Sequence, residues 1–364
     1  MTSLSKRISL FLATVILLLC PSFLLSCAKI YDSIEYNYFN TLIRIQVEDK
    51  KLTTDVKNEL STLFSQLEKD FDREYENSFI HKYNGANTGD IIALNDHQVS
   101  VLTYSKQVNE YSLGLFNPAI YPLLEVWQFA PNYPVKDFAK PSNEQVLDAL
   151  KKVPNFSNIQ FDSQTKTIVK HGQSQLDLGG IVKGYAVDLA GAILKDHGYE
   201  KGYVSLGASS LYILWSTTLS IRNPIATNQN LLEVNLSSLK DISLSTSGDY
   251  EKYYIDKESG EKYSHVIDTN TGYPTTTGVN SVTVIGGDGA FSDAITTACL
   301  LLEHDAITPN DSPLAEFLKK ILTDKKAKMV FAVYSKDGVN QIITNAKKGD
   351  DFTLLDNQFQ VVNI

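Results

Sequence analysis

An α+β fold is predicted from two observations on the chain: strand and helix periods are mixed without strict βαβ alternation, and several strand-like runs succeed one another beyond residue 200 with no helix between them. Taking the elements in order, Phe39, Leu42, Ile43, Ile45 and Val47 mark a strand within residues 36–47. Val56, Leu60, Leu63, Phe64, Leu67 and Phe71 then recur at helical spacing, with Thr53 or Thr54 as cap. Residues 100–113 and 143–153 carry similar spacing, the second with Pro141 just ahead of it. Short strands at 159–161 and 167–169 flank the turn Asp162-Ser163-Gln164, and a helix over 181–196 ends at Gly198. Strands follow at 202–206, 211–221, 232–236, 242–245 and 281–285. Helices at 293–303 and 314–322 and strands at 329–334 and 341–344 complete the series. Residues 129–142, with three prolines, read as an ordered loop, and no repeat or linker divides the chain.

The first residues read as an export signal, to be set apart from the fold. Lys6 and Arg7 precede an apolar run over 11–19 that is short for a membrane span, and Leu24-Leu25-Ser26-Cys27 resembles a bacterial lipobox. On that reading 1–26 is a signal peptide, Cys27 is diacylated, 27–35 is a tether and 36–364 is the folded domain. The domain is then expected in the bacterial envelope, anchored to a membrane by lipid, on the periplasmic side of the inner membrane in a diderm. An ordinary cleaved signal with an incidental cysteine is the alternative. Cys299 is left as the one free thiol of the domain, so no disulfide framework forms and the core must hold the fold.

Without the two signal cations, 31 basic side chains face 42 acidic ones, a formal charge of about −11, which argues against nucleic acid or an anionic lipid surface as the main partner. An anionic substrate must therefore be held by local groups or by a metal.

Three segments could carry chemistry. In Asp177-Leu178-Gly179-Gly180-Ile181-Val182-Lys183, paired glycines pass into a helix, so free amides and the positive helix end favour an anion and Lys183 adds a point charge. The plainer reading is a tight turn with Asp177 as a cap and Lys183 in solvent. In His265-Val266-Ile267-Asp268-Thr269-Asn270-Thr271-Gly272-Tyr273-Pro274, a turn presents a His and a carboxylate together, and His is the natural proton acceptor for a hydroxyl. A surface His beside an Asx-type turn is the competing account. Asp293 and Thr297 are four residues apart at the expected opening of an apolar helix, one turn from each other, and both can reach a hard cation such as magnesium. Alternatively Asp293 complements the helix dipole and Thr297 bonds back to the helix. Cys299 aligns with Ile295 and Leu302 and reads as core.

The order and separation of these segments, together with Thr246-Ser247-Gly248 between them, resemble the ApbE family of FAD:protein FMN transferases. The likeness runs from Phe39 over nearly all of the mature chain and implies an ApbE-like, T-fold-related architecture of mixed sheets with packed helices. It implies FAD as substrate, with Phe39, Leu115, Phe116, Asn117, Asp177, Lys183 and Ile267 around it. It also implies Mg2+ held by Asp293, Thr297 and the Gly180 carbonyl, with His265 the candidate base and Asp293 also catalytic. The implied reaction moves FMN from FAD to a Ser or Thr of exported or membrane electron-transport proteins, releasing AMP. Some positions depart from the family: Phe39 stands for a frequent Met, Glu74 for an aromatic, Asn117 for Asp, Ala208 for Gly and Thr269 for Pro. Hydrolysis of FAD to FMN and AMP, or flavin binding without turnover, are the rival readings.

Overall fold

Nine strands form the central sheet of the computed structural model, which describes residues 31–364 apart from 49, 131, 132 and 216. In sheet order they are Tyr31–Tyr38, Thr41–Glu48, Gly202–Leu206, Ser210–Ile213, Ile242–Gly248, Val279–Ile285, Met329–Lys336, Val339–Thr344 and Gln360–Asn363. Neighbours are antiparallel except the last two, which are parallel. The export segment and Cys27 lie outside the described residues, and among those described no helix is long and apolar enough to cross a membrane.

Alternation along the strands gives the sheet two apolar faces. On one, Ile43, Ile45, Val204, Val282, Val284 and Val330 meet the helices Thr54–Phe71, Asp96–Tyr111, Val182–Asp196, Gly289–Cys299 and Pro313–Thr323. On the other, Ile213, Leu244, Ile285, Phe331 and Val333 meet a three-stranded sheet of Thr218–Arg222, Asn230–Asn235 and Phe352–Leu354. The mixed sheets with packed helices make this an α+β fold. A smaller cluster joins the helices Tyr121–Val126 and Asn143–Leu150 to the hairpin Tyr253–Ile255/Lys262–Ser264. Parts of the loop at 129–142 belong to it, with Phe138 stacked on Tyr254 at a ring-centroid distance of 4.2 Å, and just before the loop Trp127 donates to the Gly272 carbonyl at 2.8 Å.

Several elements differ from expectation for identifiable reasons. Residues 36–47 are a hairpin, not one strand, because Phe39 and Asn40 both take positive φ (56° and 53°) and turn the chain. Residues 31–35 therefore pair with 44–48 instead of forming a tether. The expected strand 211–221 is two strands in different sheets, ending at Ile213 and restarting at Thr218. The helix expected to open at Asp293 opens at Gly289, since the Asp188 carboxylate accepts the Gly289 N–H from a neighbouring helix at 2.7 Å.

That last contact belongs to a close crossing of the helices Val182–Asp196 and Gly289–Cys299. A Cβ on Gly184 would lie 2.0 Å from the Gly289 carbonyl oxygen, and one on Gly289 would lie 2.4 Å from the Gly184 oxygen. Only glycine on both sides permits this approach, and it sets the glycine turn against Asp293.

Candidate active site

A cleft of about 490 Å³ opens over this crossing, within the size range of small-ligand sites. The glycine turn forms one wall. Asp177 Oδ1 accepts the Gly179 N–H at 2.8 Å, fixing an Asx turn, and the helix behind it starts at Val182 with no cap from the side chain of Ile181. Gly179, Gly180, Val182 and Lys183 line the cleft there.

Asp293 and Thr297 form the floor, one helical turn apart. Asp293 is 2% exposed and sits in the second turn of its helix, so the dipole account of it fails. Its Oδ2 accepts the Gly184 N–H at 3.0 Å and its Oδ1 the Ser210 hydroxyl at 3.2 Å. The hydroxyl that bonds back to the helix is that of Thr296, which donates to the Asp293 carbonyl at 2.8 Å. Thr297 Oγ1 instead faces the turn: a Cβ on Gly180 would lie 3.7 Å from it and 3.4 Å from the Phe116 ring. Ser247 lies 2.8 Å from the Thr296 hydroxyl and 3.4 Å from that of Thr297, giving the Thr-Ser-Gly strand a place in the same site.

A cation fits this donor set. A carboxylate and a hydroxyl one helical turn apart are hard oxygen ligands suited to magnesium completed by waters or phosphate. Among the described residues Asp293 has no ion-pair partner, and a buried carboxylate without a compensating charge is costly. No group of three His, Cys, Asp or Glu able to hold a metal occurs among the described residues.

His265 lines the same cleft, half-buried, its ring edge-on to Phe129 with centroids 6.2 Å apart. Burial, then the charges of Lys252 and Lys183, push its pKa down to about 4, against an opposing pull from Asp177. It is therefore a neutral imidazole near pH 7. Lys252 is itself lowered, by burial first and then by Arg73 and Lys183.

The remaining expected residues also reach the cleft. Phe39, Leu115, Phe116 and Ile267 supply apolar lining. Asn117 lies there too, but its carboxamide is spent on the chain, donating to the Pro154 carbonyl at 3.0 Å and accepting the Ala119 N–H at 3.0 Å. Asp177 is likewise engaged, since its second oxygen takes the Arg73 guanidinium in an ion pair whose side chains are 22% and 12% exposed. Arg73, Lys252 and Ser210 are absent from the sequence reading. Arg73 sits in the polar run Asp72-Arg73-Glu74 and Lys252 beside Glu251, contexts that read as solvated surface, and only the fold turns them inward.

Residues 39–309 match the model of the ApbE family. A FAD:protein FMN transferase of Treponema pallidum is 27% identical over 289 residues, covering 73% of this chain and 77% of the relative. One from Buchnera aphidicola is 26% identical over 257 residues, covering 68% and 73%. Among solved structures, the ApbE protein of Thermotoga maritima aligns with a TM-score of 0.71 at 25% identity, over 84% of this chain and 94% of that one.

Proposed function

The chain belongs to the ApbE family, and from that premise we propose that it is a FAD:protein FMN transferase acting on Ser or Thr hydroxyls of exported or membrane proteins, with release of AMP. The observation that carries the finer reading is the convergence of Gly180, Asp293 and Thr297 on one cleft that a neutral histidine also lines.

In this reading the flavin nucleotide lies along Phe39, Leu115, Phe116 and Ile267, and its diphosphate faces the glycine turn and Lys183. The acceptor hydroxyl forms a new O–P bond to the FMN phosphorus, the bond from that phosphorus to the bridging oxygen breaks, and AMP carries that oxygen away. The hydroxyl proton passes to Nε2 of His265. Magnesium, held by Asp293, Thr297 and the Gly180 carbonyl, would stabilise charge on the phosphoryl oxygens. Phosphoryl transfer needs mainly positioning and charge stabilisation, and these residues supply both. FAD is consumed, so no hydride chemistry is called for.

Attachment at Cys27 would hold the enzyme beside acceptors in the envelope; incorporation of radiolabelled palmitate, lost in Cys27→Ala, tests it. The transferase reading is tested by incubating the protein with FAD, magnesium and an acceptor domain, followed by mass spectrometry of the acceptor. An FMN adduct that vanishes with chelator and in Asp293→Ala is the expected result. Free FMN and AMP without an adduct would replace transfer by hydrolysis, and FAD binding that survives Asp293→Ala with no AMP formed would leave a binding protein.

A further inference from the structure

The candidate base hangs on a single carbonyl. The Lys252 oxygen accepts the His265 main-chain N–H at 3.0 Å and stands 3.1 Å from its Nδ1. A carbonyl only accepts, so Nδ1 carries the ring proton and Nε2 is left as the free acceptor. The residue that fixes this tautomer through its backbone also lines the cleft, alongside Lys183 and Arg73, with its ammonium 5.6 Å from the centre of the Tyr133 ring.

We propose that Lys252 is a further substrate-binding and positioning residue: its carbonyl orients His265 for proton transfer, and its ammonium takes the diphosphate of the dinucleotide. This rests on the transferase reading and adds to it a coupling between binding and the base. His265 is faced by Lys252 from its own segment, by Lys183 and Asp177 from the glycine turn and its helix, and by the Phe129 ring. Lys252 is faced in turn by Arg73 and Glu74 from the segment after the first helix, and by Asp177 and Lys183. With the cleft free of anions, neighbouring cations oppose one another and oppose a proton on His265. A diphosphate carries two negative charges to the same place. Its arrival relieves both conflicts and raises the basicity of Nε2, so the base strengthens only when there is a substrate to use it on.

The test compares Lys252→Met and Lys252→Arg with the wild-type chain in FAD affinity, read from quenching of flavin fluorescence, and in the pH dependence of turnover. The acid limb of kcat/KM reports the free enzyme and that of kcat the complex. In the wild type the kcat limb should lie at higher pH than the kcat/KM limb. Lys252→Met should weaken FAD binding by about tenfold, roughly one lost phosphate contact, and should move the kcat/KM limb up towards the kcat limb. Lys252→Arg should keep both properties near wild type. A merely structural role would lower Tm without moving the limbs. Unchanged FAD affinity and unchanged limb separation in a folded Lys252→Met would overturn the proposal. Should that variant melt below the assay temperature, Lys252→Gln compared with Lys252→Arg decides the same question. A wild-type chain that forms no acceptor adduct defeats the transferase reading instead, and the FAD affinities of the variants still decide whether Lys252 binds the dinucleotide.

Discussion

Gly184→Ala sets two backbone effects against each other, and the structure says which wins. In a helix interior alanine is favoured over glycine by about 1 kcal/mol. Here the new methyl would lie 2.0 Å from the Gly289 carbonyl oxygen, 2.5 Å from its carbon and 2.7 Å from Asp293 Cβ. Two of these are main-chain atoms at the start of a buried helix, so no flexible side chain can yield, and relief requires the two helices to separate by about 1 Å or more. Overpacking of this kind costs up to about 3 kcal/mol. The net loss is then about 2 kcal/mol, which lowers Tm by roughly 3 °C in a domain of this size. Function should suffer more than stability, because the Gly184 N–H donates to Asp293 at 3.0 Å and the same separation moves that carboxylate away from Gly180. The assay is a calorimetric melt paired with acceptor flavinylation well below the melting temperature. An unchanged or raised Tm with full activity would refute the close crossing and, with it, the way the site is assembled.

Three other outcomes follow from the packing and the charges. Arg73→Met strands the mostly buried Asp177 and should lower stability by about 2 kcal/mol; urea midpoints should show Arg73→Met/Asp177→Asn more stable than the single variant, and equality would mean that the pair is not coupled. Cys299 is fully buried and its thiol is pushed up by burial alone, so a thiol reagent should label it only after denaturation; labelling of the native protein at a rate set by reagent concentration would contradict the core assignment. For His265 the folded value of about 4 lies below the unfolded value of about 6.5, so the folded state holds fewer protons. Its contribution to stability is whole above about pH 6.5 and is lost as pH falls towards 4. The stability difference between wild type and His265→Asn should therefore move against wild type on acidification, and the opposite trend would show that the ring is not desolvated as described.

Which parts of this molecule were legible in the sequence follows from what each signal depends on. Two capped helices were clear because cap and apolar spacing agree, with Thr53 accepting the Val56 N–H and Ser142 the Gln145 N–H. Phe79–Gly85, capped by Ser78, is instead too short to show a period, and Asp96–Tyr111, capped by Asn95, was expected only from residue 100. The Gly289–Cys299 helix was misplaced because its first amide is taken by Asp188, a hundred residues away in sequence, and no local pattern announces that. The hairpin at Phe39 was hidden because a bulky residue with φ of 56° is a poor turn former. Its N–H is held by the Glu68 carboxylate at 2.7 Å, and such strain is tolerated most often where a ligand is bound. The glycine turn, Asp293 and Thr297 were legible as residues to look for in one cleft because a glycine pair and oxygen-bearing side chains one turn apart form local patterns. Arg73 and Lys252 were not, since a cation in a polar loop acquires a role only from what the fold places opposite it.

The distribution of charge across the cleft constrains what can occupy it. The chain as a whole carries a formal charge of −9, so its long-range field repels anions and any attraction must arise within about a Debye length of the site. The cleft is lined by Arg73, Lys183 and Lys252 and by Asp72, Glu74, Asp177, Glu251 and the buried Asp293; Arg73 is taken up by Asp177, which leaves Lys183 and Lys252 as cations without an ion-pair partner among the described residues. A simple anion satisfies the cations but meets the carboxylate, and a simple cation does the reverse. A diphosphate chelating a divalent ion carries both charges at a separation that a small monoanion lacks, and it alone removes the two electrostatic penalties together. On the proposed transferase reading, Lys183 and Lys252 would favour phosphate only once Asp293 is compensated, so the carboxylate that would hold the metal would also disfavour anions that arrive without one.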